Sequence, residues 1–516
     1  MDTDPAPPLA DPIGAARAAA PDRTALVHRG IALPCARVQA DVARIAGRLL
    51  AHGIAPGDVV AVHLRTPVTH WMVTLGLMRI GAVSLSLTRN ARAELDALSG
   101  VSPENAPGIS AVICGAGEEA AFPNTLWRIA VERDWLDGPM PDPGALPAPE
   151  VASRSVGRIC FTSGTSGRPK AILLDARLLG ARLARTAGRA GIDGETILWC
   201  GLGPDTAFGF TATLATWREA GTVLFSTGDR GAFAEMQARG VNLLIASPAA
   251  LTPLVRDARA TERPRLAGPA IVAGGRLTVE LRDQIRAHLC DGARIAYGSS
   301  EAGGVTLGDA AALDIHPGQV GAAFSDLAVE VVGPDGTALP PGREGQLRLR
   351  TESTVTGYLN DPEASQAHFA DGWFYPGDLA MLSAEGALTL LGRTTQVLNL
   401  GGVKLPVEAL EARLLALEGV EEVCAYLPVA GRSDGQAETP ELVIVAVVAE
   451  DRAEGLGAAI RTAVPGLPPV ALFAARALPR GSMGKVAKPA LAEAVTAARA
   501  GAGSDDGLGL VSLGVV

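Results

Sequence analysis

Apolar residues along the chain fall into short runs that alternate with segments of helical period. Asp58–His63 is a brief apolar run, Val68–Arg79 places apolar residues at helical spacing, and Gly81–Leu87 is apolar again, so the three predict a βαβ unit. The pattern recurs as strand Val241–Ile245, helix Ala249–Arg259, strand Ala270–Ala273, helix Thr278–Leu289 and strand Ala293–Ala296. Strands that read as continuous apolar runs between helices imply mainly parallel sheets covered on both faces. The texture changes after Gly318: Val329–Val332, Gly345–Arg350 and Ala387–Leu391 are strand-like runs separated by turns such as Pro334-Asp335-Gly336, which predicts a small β-rich subdomain. From about Thr395 the chain restarts with helix Val407–Leu417, strands Glu421–Leu427 and Glu441–Val448, helix Gly455–Val464 and strand Val470–Ala474. The expected fold is therefore α/β. A large N-terminal domain (1–393) has mainly parallel sheets flanked by helices plus the β-rich subdomain, a small α+β C-terminal domain occupies 394–500, and a tail (501–516) is expected to be disordered. Leu136–Glu150, rich in Pro, Gly and Asp, predicts an exposed connection, and no internal repeat is visible.

Composition narrows the class. A chain of 516 residues is long for one core, and 48% hydrophobic with 19% charged residues is the balance of a globular protein. The net charge of -10, with no basic run or basic–aromatic stripe, argues against a nucleic-acid binder. The acidic, Pro-rich stretch Met1–Pro8 lacks the features of a signal peptide, and the apolar segment Met72–Leu87 is interrupted by Arg79 and too short to span a bilayer. Cys35, Cys114, Cys160, Cys200, Cys290 and Cys424 are widely spaced without a Cys-x-x-Cys pair, so buried free thiols and a cytoplasmic location are expected. The seven histidines show no metal-ligand spacing.

The richest chemistry lies between two strand-like runs, Val156–Cys160 and Ala171–Leu174. There Phe161 is followed by Thr162, Ser163, Gly164, Thr165, Ser166, Gly167, Arg168, Pro169 and Lys170. Glycines let backbone amides approach an anion, hydroxyls donate to phosphate oxygens and Lys170 adds charge. The spacing is not that of the P-loop, because Pro169 precedes Lys170 and Ala171 follows it. Taken alone, the segment is either a polyphosphate grip or a Ser/Gly-rich surface turn.

The segment resembles the phosphate-binding signature of the adenylate-forming superfamily, which comprises acyl-CoA synthetases, peptide-synthetase adenylation domains and luciferases. Further motifs of that family follow in order: Tyr297, Gly298, Ser299, Ser300 and Glu301; Gly372–Asp378, with Pro376 where the family usually has Thr; Gly392 and Arg393; Gly402; and Leu478–Lys485. The resemblance spans roughly residues 20 to 498. It implies a mobile C-terminal domain and a reaction in which a carboxylate attacks the α-phosphorus of ATP. The products are an acyl-adenylate and pyrophosphate, and the acyl group then passes to a thiol.

Site roles follow from that resemblance. Lys485 would bridge the α-phosphate and the attacking carboxylate, the alternative being a solvated lysine. Glu301 would bind Mg²⁺, the alternative being a first-turn acid. Ser300 would donate to the α-phosphate and Tyr297 would lie against adenine, with Gly298 and Ser299 in the same nucleotide motif. Thr162, Ser163, Thr165 and Lys170 would hold the β- and γ-phosphates within the glycines Gly164 and Gly167 and beside Ser166. Asp378 would accept both ribose hydroxyls, and Arg393 would contact ribose and phosphate unless it forms only a surface ion pair. Gly274, Gly275 and Arg276 would border adenine and acyl group; Phe208, Phe210, Ser247, Pro248 and Ala249 would border the acyl pocket. Gly401 and Gly402 would lie on the thiol side. Two departures stand out. Thr395 occupies the hinge position where the family usually has Asp or Lys, and Asp205 falls near a position that holds His in many acyl-CoA synthetases. Asp205 is then either a turn residue after Pro204 or a partner for a substrate amine. The leading expectation is an acyl-CoA synthetase using ATP, Mg²⁺ and coenzyme A. The alternatives are a stand-alone enzyme that loads an amino or aryl acid onto the phosphopantetheine of a separate carrier protein, and a nucleotide-binding protein without turnover. The acid itself and the oligomeric state are not legible.

Overall fold

The computed structural model describes residues 8–14, 18, 20–88, 91–98, 108–137, 139–142, 144–162, 169–226, 231–261, 263–394, 397–400, 403–427, 442–448, 452–480, 486–499 and 508–515. The chain divides into two compact units, one formed by Met1–Ala328 with Leu349–Phe374 and the other by Val329–Arg348 with Tyr375–Val516.

The first unit contains two large sheets. One is eight-stranded, in the order Gly303–Asp309, Cys290–Ser299, Leu266–Val272, Leu243–Ala246, Ile197–Cys200, Thr222–Phe225, Thr24–His28 and Ile31–Pro34. Its six inner strands run parallel and both edge strands are antiparallel. The other is six-stranded: Trp127–Val131, Ile109–Gly115, Val59–His63, Val83–Ser86, Gly157–Thr162 and Lys170–Leu174, parallel except for the last. Helix Pro67–Ile80 is buried almost all round, as its mostly apolar sequence requires, and its Trp71 stacks on Phe210 at 5.3 Å. Among the described residues no helix is long and apolar enough to cross a membrane. The six cysteines are free, five of them buried.

In the second unit a four-stranded sheet orders as Val420–Tyr426, Leu442–Val448, Val470–Ala475 and Val511–Val515. The unbroken apolar run of Leu442–Val448 serves both faces. Leu442, Ile444 and Ala446 pack with Leu410 and Ile460 from helices Val407–Leu415 and Leu456–Ala463. Val443, Val445 and Val447 pack with Leu491 and Val495 of helix Lys488–Arg499. Strand Asp378–Leu382 pairs with both Glu344–Arg350 and Ala387–Arg393.

One expectation is corrected. The end of the tail is ordered rather than disordered: Val511–Val515 pairs antiparallel with Val470–Ala475. An exposed strand edge binds any extended segment through main-chain groups, so a Gly/Ser-rich tail needs no amphipathic signature to be captured. Helix Thr278–Leu289 is also divided, with α geometry over Val279–Gln284 and a π turn over Ile285–Leu289.

Candidate active site

Strands Gly157–Thr162 and Lys170–Leu174 pair in a register that sets Thr162 opposite Lys170, so the two ends that flank the hydroxyl- and glycine-rich segment are held together. Ser163, Gly164, Thr165, Ser166 and Gly167 lie outside the described residues. Lys170 is buried, with Nζ 3.2 Å from His368 Nε2 and 4.9 Å from the centre of the Tyr358 ring.

Strand Cys290–Ser299 delivers the second motif. Tyr297 is half-buried opposite Thr306, and Gly298 is required by packing, because a Cβ there would lie 2.4 Å from the Gly303 carbonyl oxygen. The Ser299 hydroxyl accepts from the Ala302 amide, so it is engaged within its own turn. Half-buried Ser300 follows, then buried Glu301, whose Oε1 accepts the Tyr358 hydroxyl at 2.8 Å. The Ser300–Glu301 backbone is held by Arg182, which donates to Ser300 O at 2.6 Å, Glu301 O at 2.7 Å and Ser353 O at 2.7 Å. Burial pulls the Arg182 guanidinium down to about 10, so it stays charged at neutral pH.

Gly274 adopts φ 77°, and Gly275 sits so close to Pro248 that a Cβ would meet its Cδ at 3.1 Å. Two expected pocket segments, Gly274–Arg276 and Ser247–Ala249, are thereby brought together at the C-terminal ends of adjacent parallel strands, where ligands of such sheets bind. Ser247 itself caps helix Pro248–Arg259 by accepting from the Ala250 amide, so its hydroxyl serves the helix; Arg276 is exposed.

The loop from Gly201 to Thr206 leads into helix Ala207–Arg218, capped by Thr206. Half-buried Asp205 turns Oδ1 back into the space beside Gly203, as a turn residue would. Phe208 is half-buried, whereas Phe210 is a core residue between Trp71 and the Arg158 guanidinium, 4.4 Å from its ring centre, rather than an open pocket wall. Arg158 is fully buried and donates to Ser84 Oγ, Ser86 Oγ and Pro204 O at 3.2, 2.5 and 2.6 Å; its Nε has no partner among the described residues. Burial pulls the Arg158 guanidinium below its ordinary value, while Cys160 and, less strongly, Asp205 favour its charged form. His70 Nε2 is 2.6 Å from Ser86 Oγ, and burial, followed by the Arg158 charge, lowers its pKa to about 3.

That depression has a defined sign. An unfolded histidine takes up its proton near pH 6.5, whereas native His70 stays neutral to about pH 3. The associated stability is present above pH 6.5 and is lost as pH falls toward 3. Between pH 6.5 and 4.5 the parent protein is expected to lose about 2–3 kcal/mol more unfolding free energy than His70→Gln, measured by urea denaturation at both pH values.

In the second unit Asp378 opens its strand directly opposite Arg393, and Arg393 Nε lies 3.0 Å from Asp378 Oδ1. Arg393 also donates to Pro376 O at 2.7 Å, and Gly377 takes φ 79°, a conformation suited to glycine. The two residues expected to meet ribose are thus paired with each other. Thr395, Gly401, Gly402 and Lys485 lie outside the described residues; on either side of residues 481–485, Arg480 and Val486 form an antiparallel bridge.

Sequence reasoning missed Arg182, Tyr358, His368, Arg158 and His70. Arg182, Arg185 and Arg189 share a helical face, which on sequence alone looks like a solvated charged stripe. In the fold Arg185 and Arg189 both pair with Asp326. Residues 15–359 match the family model of the AMP-binding enzymes. A feruloyl-CoA synthase from Amycolatopsis sp is 30% identical over 427 residues, covering 79% of this chain and 83% of that protein. Pyochelin synthetase PchE of Pseudomonas aeruginosa is 28% identical over 79% of this chain but 28% of its own length. The structure of O-succinylbenzoate coenzyme A synthetase (MenE) from Bacillus subtilis, in complex with AMP, is similar in fold. Its TM-score is 0.78 at 19% identity, over 94% of this chain and 98% of that one. With its family match extending from the first sheet through Glu301 to Tyr358, this chain belongs to the AMP-binding enzymes of the adenylate-forming superfamily.

Proposed function

We propose that the protein activates a carboxylic acid with ATP, releasing pyrophosphate, and passes the acyl group from the resulting adenylate to the thiol of coenzyme A. The observation that carries this reading is the grouping of Lys170, Glu301 and Tyr358 at the strand that follows the hydroxyl-rich segment. Lys170 supplies a buried cation for the β- and γ-phosphates, in a setting where charge acts more strongly than in water. Glu301 fits Mg²⁺: its Oε1 is held by Tyr358, and Mg²⁺ needs only one or two carboxylates when phosphate oxygens and water complete its shell. Among the described residues no group of three or more His, Cys, Asp and Glu could hold a metal without such help. When bound, Mg²⁺ would neutralise phosphate charge. Asp378 is assigned the ribose hydroxyls, and Ser300 offers a hydroxyl to the α-phosphate. Lys485 is assigned the charge that gathers between the α-phosphate and the attacking carboxylate. A cytoplasmic location belongs to the same reading.

The resemblance of the chain to feruloyl-CoA synthase supports coenzyme A as acceptor. Loading of a separate carrier protein is retained as the second reading because Asp205 stands in the loop after strand Ile197–Cys200. Asp205 also faces the field of buried Arg158, a cation that competes with an α-amine and so disfavours an α-amino acid as its partner. The test is pyrophosphate release across fatty, aryl and amino acids, with and without coenzyme A, with thioester followed in parallel. Acyl-CoA formation from one acid class is expected. Acid-dependent adenylate without transfer to coenzyme A would overturn the acceptor assignment, and amino-acid specificity would overturn the argument from Arg158.

A further inference from the structure

We infer that Tyr358 and His368 are positioning residues that hold the phosphate cation Lys170 and the metal carboxylate Glu301 in fixed relation; the inference rests on the phosphate and Mg²⁺ roles proposed above for those two groups. The segment containing Tyr358 is stitched at both ends. Toward its start, the Val355 amide donates to Glu301 O at 3.0 Å. At its end, the Leu359 amide donates to Ala171 O at 2.7 Å, forming a bridge to the strand that begins at Lys170. Between these anchors the Tyr358 side chain does two things. Its hydroxyl binds Glu301 Oε1 at 2.8 Å, and its ring faces Lys170 Nζ at 4.9 Å.

The same segment turns into helix Pro362–His368, capped by Asp361, and Ser365 Oγ of that helix accepts the Tyr358 amide at 2.9 Å. The helix ends at His368. A lysine ammonium can only donate, so His368 Nε2 accepts from Lys170 and carries no proton in this arrangement. Phe369 and Phe374 pack around the pair, with ring centres 5.5 Å from Tyr358 and 6.5 Å from His368 respectively. Lys170 therefore has one N–H directed at an imidazole and its charge over an aromatic face, which leaves donors for phosphate oxygens. Glu301 has one oxygen committed to a phenol, so it would meet a cation through the other oxygen alone. The conformational freedom of a long lysine and a glutamate is removed before any nucleotide arrives, as preorganisation requires.

The consequence is a separable effect on metal and nucleotide terms. Tyr358→Phe keeps the ring and removes the bond to Glu301; the Mg²⁺ concentration for half-maximal pyrophosphate release should rise about tenfold, with KM for the acid within about twofold. His368→Ala should raise KM for ATP by about tenfold, and His368→Gln, which restores an acceptor, should recover most of that loss. An unchanged Mg²⁺ requirement in Tyr358→Phe would overturn the inference, as would equal defects in His368→Ala and His368→Gln. Lys170→Met and Glu301→Gln, assayed in parallel, separate the two levels. Parent-like ATP and Mg²⁺ dependence in both would sink the phosphate and metal roles themselves. Defects in both, with Tyr358→Phe and His368→Ala unaffected, would sink only the positioning role.

Discussion

Replacing Lys485 by alanine is expected to leave ATP binding nearly intact while lowering acyl-adenylate formation by about 10²–10³-fold, the range seen when one aimed electrostatic donor is removed from a transition state. The reason lies in where charge changes. ATP arrives already neutralised by the groups assigned to its β- and γ-phosphates, so one further cation adds little to ground-state binding. Attack by a carboxylate on the α-phosphorus brings two anions together, and only a cation between them lowers that barrier. Equilibrium binding of ATP and pre-steady-state pyrophosphate release measure the two quantities separately. Near-normal adenylation by Lys485→Ala would remove Lys485 from the mechanism, and loss of ATP binding would make it a ground-state ligand instead.

Arg182→Ala should produce the largest structural effect of any single change near the site. Its guanidinium satisfies three backbone carbonyls, those of Ser300, Glu301 and Ser353, in a place closed to solvent. A buried acceptor without a donor costs about 1–3 kcal/mol, so after relaxation the variant should lose roughly 3–5 kcal/mol. That is a large fraction of the ~5–15 kcal/mol that stabilises a typical domain. Glu301 O would keep only the Val355 amide, and Ser300 O beside it would lose its Arg182 donor, so Mg²⁺-dependent activity should fall even in the fraction that remains folded. Arg182→Lys keeps charge but not the planar fork, and should lie between the two. Denaturant unfolding reports the stability term, and an unchanged midpoint for Arg182→Ala would refute this account.

Parts of this molecule were legible because their causes are local. The βαβ period from Asp58 to Leu87 appears as strand Val59–His63, helix Pro67–Ile80 and strand Val83–Ser86. The apolar run Glu441–Val448 appears as a strand with both faces covered. Positive φ at Gly274 and Gly377 is a property of single residues, which is why it falls where the chain has glycine. The captured tail strand was missed because its stabilisation comes from a neighbour's main chain, which leaves no trace in the tail's own side chains.

The sequence by itself determined the alternation of strands and helices, the order of the nucleotide motifs and the residue types that chemistry on a phosphate requires. Those depend on side-chain polarity, backbone freedom and spacing along the chain. Only the tertiary structure decided that Phe210 is core, that Ser247 spends its hydroxyl on a helix cap, that Asp378 and Arg393 pair with each other, and that Tyr358 touches both Lys170 and Glu301 while His368 meets Lys170. Each of these is a contact between residues distant in sequence or a choice between competing hydrogen-bond partners. Such choices are settled by which groups burial brings together, and composition and period carry no record of that.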